Sequence, residues 1–211
     1  MARINRILVL VLVIAASVLG AAAQNVVVSV DAAGRFKIGK KPVTLSRLGK
    51  GLTAALDGQA SGDRIVYVKA GSNVPFSQIR KLLKAGRTIK QDSFGLMMAT
   101  EDAAAAVMTK IALDSPDDAK PNPLILVVGF KTNGGLSLNN ESLTPVKLTK
   151  KLNDIFVKRE YNGVTRPGTN EVERTVSLDP SAATTFGAIV KAARLVKEGG
   201  AEPIVIATEG H

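Results

Sequence analysis

The chain has 211 residues and a formal charge of +10, from 28 Lys and Arg against 18 Asp and Glu. It contains no Cys and a single His, His211 at the last position, so disulfides, thiolate metal sites, a Cys nucleophile and internal imidazole chemistry are excluded. With 45% hydrophobic residues, 4% aromatic and no Trp, it reads as a folded chain with cores built from small aliphatic side chains.

The first feature in chain order is a leader. Arg3 and Arg6 precede an apolar run over residues 7–19, and Ala21, Ala22 and Ala23 follow, the order of a secretory signal with cleavage expected between Ala23 and Gln24. An uncleaved anchor over residues 7–23 is the alternative, with Arg3 and Arg6 holding the short N-terminus in the cytoplasm. Either way, everything after Gln24 is expected outside the cytoplasm, in the periplasm or at the inner membrane facing it. Losing Arg3 and Arg6 takes the charge from +10 to +8, which points to an anionic partner: lipid headgroups, wall polymers or acidic protein faces rather than nucleic acid.

After the leader the chain reads as two copies of one pattern: strand, strand, helix, strand, helix, strand. Residues 25–30 and 35–43 form a hairpin around Asp31 to Gly34. Leu48, Leu52, Ala55 and Leu56 then fall on one face of a helix. Residues 65–68 read as a strand, and a helix from near Pro75 buries Phe76, Ile79, Leu82 and Leu83 and stops at Gly86. Residues 96–99 close the first copy. An Ala-rich stretch over residues 103–113 reads as a short helix, followed by a linker rich in Pro and Asp.

The second copy matches the first at a shift of 100, pairing Gly34 with Gly134, Thr44 with Thr144 and Leu48 with Leu148. Thr144 and Pro145 make an N-cap with Pro at the first helical position, ahead of Leu148, Leu152, Ile155 and Phe156. After a longer loop over residues 157–174 the shift becomes 110, pairing Phe76 with Phe186 and Ile79 with Ile189. A helix over residues 182–198 and a strand over residues 204–207 end the copy, with Ala99 and Ala207 matching at 108. The fold expected is α+β: two small modules, each a mixed sheet covered by helices, with a leader at 1–23, modules at 24–101 and 124–211, and a linker at 102–123.

Candidate chemistry is sparse. The segment Gly34 to Lys41 approaches the phosphate-binding G-x-x-x-x-G-K-[ST] loop, but Lys41 replaces the hydroxyl residue, Pro42 follows, and Phe36 and Ile38 alternate as in a strand. Asp179, before Pro180, reads as a turn residue. Lys147, Lys150, Lys151, Lys158 and Arg159 cluster on or just after a helix, either as a solvated face or as a docking patch. No residue is assigned to catalysis, to a cofactor or to a metal.

Two stretches carry a resemblance. Residues 34–48, from Gly34-Arg35-Phe36 to Ser46-Arg47-Leu48, and the pair Ile65-Val66-Tyr67-Val68-Lys69-Ala70 and Val74-Pro75-Phe76-Ser77-Gln78-Ile79 resemble the periplasmic domain of the ExbD/TolR family of biopolymer transport proteins. Gly71 stands where that family often has an acidic residue, and residues 124–209 are similar only in outline. The resemblance implies a non-enzymatic accessory or adaptor in proton-motive-force-driven transport across the envelope. It also implies a channel-type or outer-membrane protein partner, and a dimer or an internal pseudo-dimer. The family's proton-carrying Asp has no counterpart in residues 7–23, and a tandem region departs from its usual single domain. A free periplasmic module for an anionic wall polymer or lipid is the alternative.

Overall fold

The computed structural model describes residues 25–60, 64–112 and 122–208. These form a mixed α+β fold of four α-helices and eleven strands, and the strands hydrogen-bond into one sheet. First come β1 (Val26–Val30), β2 (Phe36–Ile38), β3 (Lys41–Val43), α1 (Leu45–Leu56), β4 (Val66–Ala70), α2 (Phe76–Thr88) and β5 (Ser93–Met98). A short 3-10 helix, Ala103–Ala105, leads into β6 (Val107–Ile111). Then follow β7 (Leu126–Phe130), β8 (Leu136–Leu138), β9 (Glu141–Leu143), α3 (Pro145–Tyr161), β10 (Val176–Asp179), α4 (Phe186–Glu198) and β11 (Ile204–Ile206).

Three expectations need correction. The strand expected over residues 35–43 is two strands, because Gly39 takes φ 59° and turns the chain back on itself; Asn139 and Asn140, at φ 46° and 73°, do the same between β8 and β9. Two consecutive positive φ values are what a type I′ hairpin turn requires, and Asn tolerates them. The helix expected over residues 103–113 is three residues of 3-10 helix and then β6, in which Val107, Thr109 and Ile111 are buried and Met108 and Lys110 exposed. Finally, there are not two sheets but one, and β6 lies inside it.

The strand order is β3-β2-β1-β4-β5-β6-β11-β10-β7-β8-β9. Outward from β6 it reads the same in both directions if β11 stands for β5, β10 for β4 and β7 for β1. β6 is antiparallel to β5 and parallel to β11, so the elements beyond it run opposite to their counterparts. Register holds as well. Val66 faces Phe94 as Val176 faces Ile204, a separation of 110 in both cases, so the match of Ala99 with Ala207 at 108 is two residues out of step.

Burial alternates along β1, β4, β6, β10 and β11, with the buried set on one side, whereas in β5 Phe94, Gly95, Leu96 and Met97 are all buried. Val28, Val68, Leu96 and Val107 sit side by side across β1, β4, β5 and β6, as Val128, Leu178 and Ile206 do across β7, β10 and β11. A crossover of one handedness, applied to two runs of opposite direction, brings all four helices to that same side. Leu48, Leu52 and Leu56 of α1 and Leu148, Leu152 and Phe156 of α3 face inward and join one continuous core. Among the described residues, the other side of the sheet has no α-helix over it and shows Val27, Tyr67, Met108, Val205, Ser177 and Val127 in neighbouring rows.

The first turns of α2 and α4 meet over the middle of the sheet. Phe76 and Ser77 donate their N–H groups to the carbonyls of Thr184 (2.8 Å) and Ala182 (3.0 Å); Phe186 and Gly187 donate to Val74 (2.7 Å) and Ser72 (2.9 Å). Helix N-termini carry N–H groups with no partner inside the helix, and here each helix is capped by the turn in front of the other. This exchange also explains why α4 begins at Phe186 and not at residue 182. A Cβ on Gly187 would lie 3.0 Å from the Cβ of Ser72 and 3.2 Å from its carbonyl oxygen. Gly187→Val is therefore expected to lower stability by about 1–3 kcal/mol, with probes in residues 25–98 and in residues 126–206 reporting the same drop in denaturation midpoint.

Candidate functional site

The side chains with the most elaborate polar environment lie where the loop after α3 meets the strand β10. Glu173 is fully buried, at 0% exposure. Its Oε1 accepts the N–H of Thr175 (2.8 Å) and its Oε2 accepts the amide of Asn122 (2.7 Å). Arg159, in the last turn of α3, donates to the Glu173 carbonyl (2.7 Å) and to the carbonyl of Leu124, with its guanidinium 5.9 Å from the centre of the Phe156 ring. Burial acts to raise the Glu173 pKa, but the hydrogen bonds from Thr175 and Asn122 and the nearby charge of Arg166 outweigh it and hold the carboxyl below its ordinary range. Burial lowers the pKa of Arg159 while the charge of Glu173 opposes this. Both carboxylate oxygens accept hydrogen bonds, so Glu173 works as a clamp that ties the segment before β7 to the start of β10.

A second carboxylate joins the two runs of elements. Glu101, in the turn after β5, accepts from Arg194 of α4 (2.6 Å) and from the Met98 N–H (2.8 Å), and its carbonyl accepts from Lys69 (2.7 Å). The hydrogen bond from Arg194, followed by that from Met98, pulls its pKa down. Arg194 also donates to the carbonyl of Ala105 (3.2 Å), so one guanidinium holds the whole approach to β6.

A hollow of about 650 Å³ opens between the β7–β8 turn, the start of α3 and the turn before α4. Phe130, Leu136, Leu143 and Leu195 form its apolar floor, with Lys191 at the side. Four of its hydroxyls have structural work: Thr144 accepts from Lys147 N–H and Thr185 from Ala188 N–H, both as helix caps, and Ser181 and Thr184 bond to each other (3.1 Å). Among the described residues no cluster of three or more acidic or His side chains could hold a metal ion.

Comparison with protein-family models, with curated proteins and with solved structures finds no match. The fold and these surfaces are therefore the ground for any functional reading.

The residues singled out in the sequence are not brought together. The Gly34 to Lys41 segment is a turn, β2, a second turn and the start of β3; β3, not a helix, follows Gly39-Lys40. Asp179 ends β10 opposite Gly129 on the uncovered side of the sheet. The basic cluster divides: Arg159 turns inward to the Glu173 clamp, Lys151 pairs with Glu141, and Lys147, Lys150 and Lys158 stay exposed. His211 and residues 1–24 lie outside the described residues, and no described helix is long and apolar enough to cross a membrane. Glu173, Asn122 and the Glu101–Arg194 pair had no signal in the sequence, because each is defined by partners far along the chain.

The depressed pKa of Glu173 has a direction. A carboxyl lowered on folding stabilises above its ordinary value of 4.5 and loses that contribution as pH falls through the folded value. Glu173→Gln is expected to lower stability at neutral pH by about 1–3 kcal/mol, through the mismatched buried hydrogen bonds. It should also shrink the further loss on acidification, as denaturation midpoints above and below that pH would show. Asp31 and Glu101, which are also lowered, act in the same direction.

Proposed function

We propose that the chain is a non-enzymatic adaptor of the bacterial envelope, made of two diverged modules of the ExbD/TolR kind and serving proton-motive-force-driven biopolymer transport. The observation that carries this reading is the recurrence, on either side of β6, of strand-strand-strand-helix-strand-helix-strand with matching register. Duplicated modules that share a sheet and cap each other's helices would act as an internal pseudo-dimer, with modules over residues 24–101 and 124–211. The segment 102–123 then does more than link them, since it supplies β6.

On this reading the leader exports the chain, and both modules work in the periplasm, free or held at the inner membrane. Residues 7–23 contain no acidic side chain, so proton passage belongs to a channel partner and this chain transmits or receives its consequence. The uncovered side of the sheet offers that partner an apolar strip in which Met108 is 37% and Val127 39% exposed.

Mild-detergent isolation of the tagged full chain from its own envelope, after cross-linking, tests the proposal. A channel subunit of the type that ExbD/TolR proteins work with, or an outer-membrane component, is expected in the recovered complex, with yield reduced several-fold by Met108→Glu. Repeated recovery of the chain alone would count against an adaptor.

A further inference from the structure

All four helices lie on one side of the sheet, and the charge of the chain is concentrated on them. α1 carries Arg47 and Lys50, α2 carries Arg80, Lys81, Lys84 and Arg87, and neither has an acidic residue. On α3 and α4 the acidic residues are Asp154, Glu160 and Glu198, and Glu160 is already paired with Arg174 (2.7 Å). Lys50, Lys81, Lys84, Lys191 and Lys197 are exposed, and among the described residues none of the five takes part in an ion pair.

The same layer carries apolar side chains pointed into solvent. On α3, Val146 is 80%, Val157 58% and Tyr161 90% exposed. With Lys150 they fall at i, i+4, i+11 and i+15, one stripe opposite the buried Leu148, Leu152 and Phe156. Lys147 and Lys158 lie along one side of it, next to the exposed Asp154, and neither lysine makes an ion pair among the described residues. On α1, Leu45 is 47% exposed beside Lys50 and Lys81.

We propose that the outer face of the helical layer, centred on α3, docks on an anionic lipid bilayer. Lysines spread over several adjacent helices match a continuous sheet of negative headgroups, and their long stems let the charge reach it while Val146, Val157 and Tyr161 enter the interfacial region. A folded acidic partner would call for a localised patch with a packed apolar centre, whereas here the apolar side chains project singly along a basic helix. The uncovered side of the sheet, with Met108 and Val127, then faces away from the lipid. This helical face gives a surface and a ligand to the anion-binding alternative raised by the charge. Lipid docking does not depend on the adaptor reading, which rests on other residues and can fail separately.

The absence of Cys makes the test clean, because one introduced thiol is the only label site. An environment-sensitive fluorophore is placed on the full chain at Tyr161→Cys or, as control, at Val127→Cys. Each is mixed with vesicles carrying a lipid-borne quencher, made of phosphatidylcholine alone or of phosphatidylcholine with phosphatidylglycerol. Quenching is expected at position 161 on the anionic vesicles, reversed by salt, and not at position 127. Lys147→Gln, Lys150→Gln and Lys158→Gln are each expected to raise the half-quenching lipid concentration about fivefold, and roughly a hundredfold together. No quenching at position 161, quenching equal on neutral vesicles as an apolar leader would produce, or quenching at 127 in place of 161 would each overturn the proposal.

Discussion

A sheet of eleven strands has two faces, and the four α-helices among the described residues lie on only one of them. Strand side chains alternate with a period of two, so one row of every strand must be apolar and the next must tolerate solvent. That condition is met most clearly in β1, β4, β6, β10 and β11, and it dictates most of the architecture. Because all four helices must share one side, the two runs of elements can only be joined with their strands pointing in opposite directions. β6 makes the join. It returns antiparallel to β5 and offers its far edge to β11, and its own alternation of Val107, Thr109 and Ile111 with Met108 and Lys110 keeps the covered and uncovered sides distinct.

Two polar devices lock the join. The exchange of caps between α2 and α4 satisfies N–H groups that Pro75 has no side-chain hydrogen bond to serve, and it brings two turns from distant parts of the chain into backbone contact. Arg194 fastens the other end of the helix pair to Glu101 and Ala105, directly above the entry to β6. The covered side is thus held by an apolar core and pinned at two places by hydrogen bonds between the runs.

How much of this could be read from sequence depended on whether a feature was local. The stripes Leu48–Leu52–Leu56 and Leu148–Leu152–Phe156, and the cap at Thr144 and Pro145, were legible because helix periodicity and capping act within a few residues. The turn at Gly39 was hidden because a two-residue reversal leaves the alternation of Phe36, Ile38 and Val43 looking like one strand. β6 was masked by alanine: Ala103 to Ala106 carry helix propensity, and the strand after them takes its shape from β5 and β11, which lie on either side of it in space and not in sequence. Glu173 is the extreme case. Nothing around it in the chain marks a carboxylate for burial; Thr175 and Arg166 are close to it in sequence, but the Asn122 amide that completes its hydrogen bonding arrives from a distant segment.

The outermost strands, β3 and β9, are three residues each, and β3 has Pro42 at its centre while β9 opens with Glu141. Proline offers no N–H, and so short a ladder presents few groups for pairing. A sheet built by joining alike units edge to edge is at risk of continuing without limit, since each new unit exposes the kind of edge that recruited it. Here the recruiting edges, β5 and β11, are both consumed by β6, and the edges left over are blunt. Neither end of the described sheet therefore offers much for a further strand to pair with, whichever chain that strand comes from.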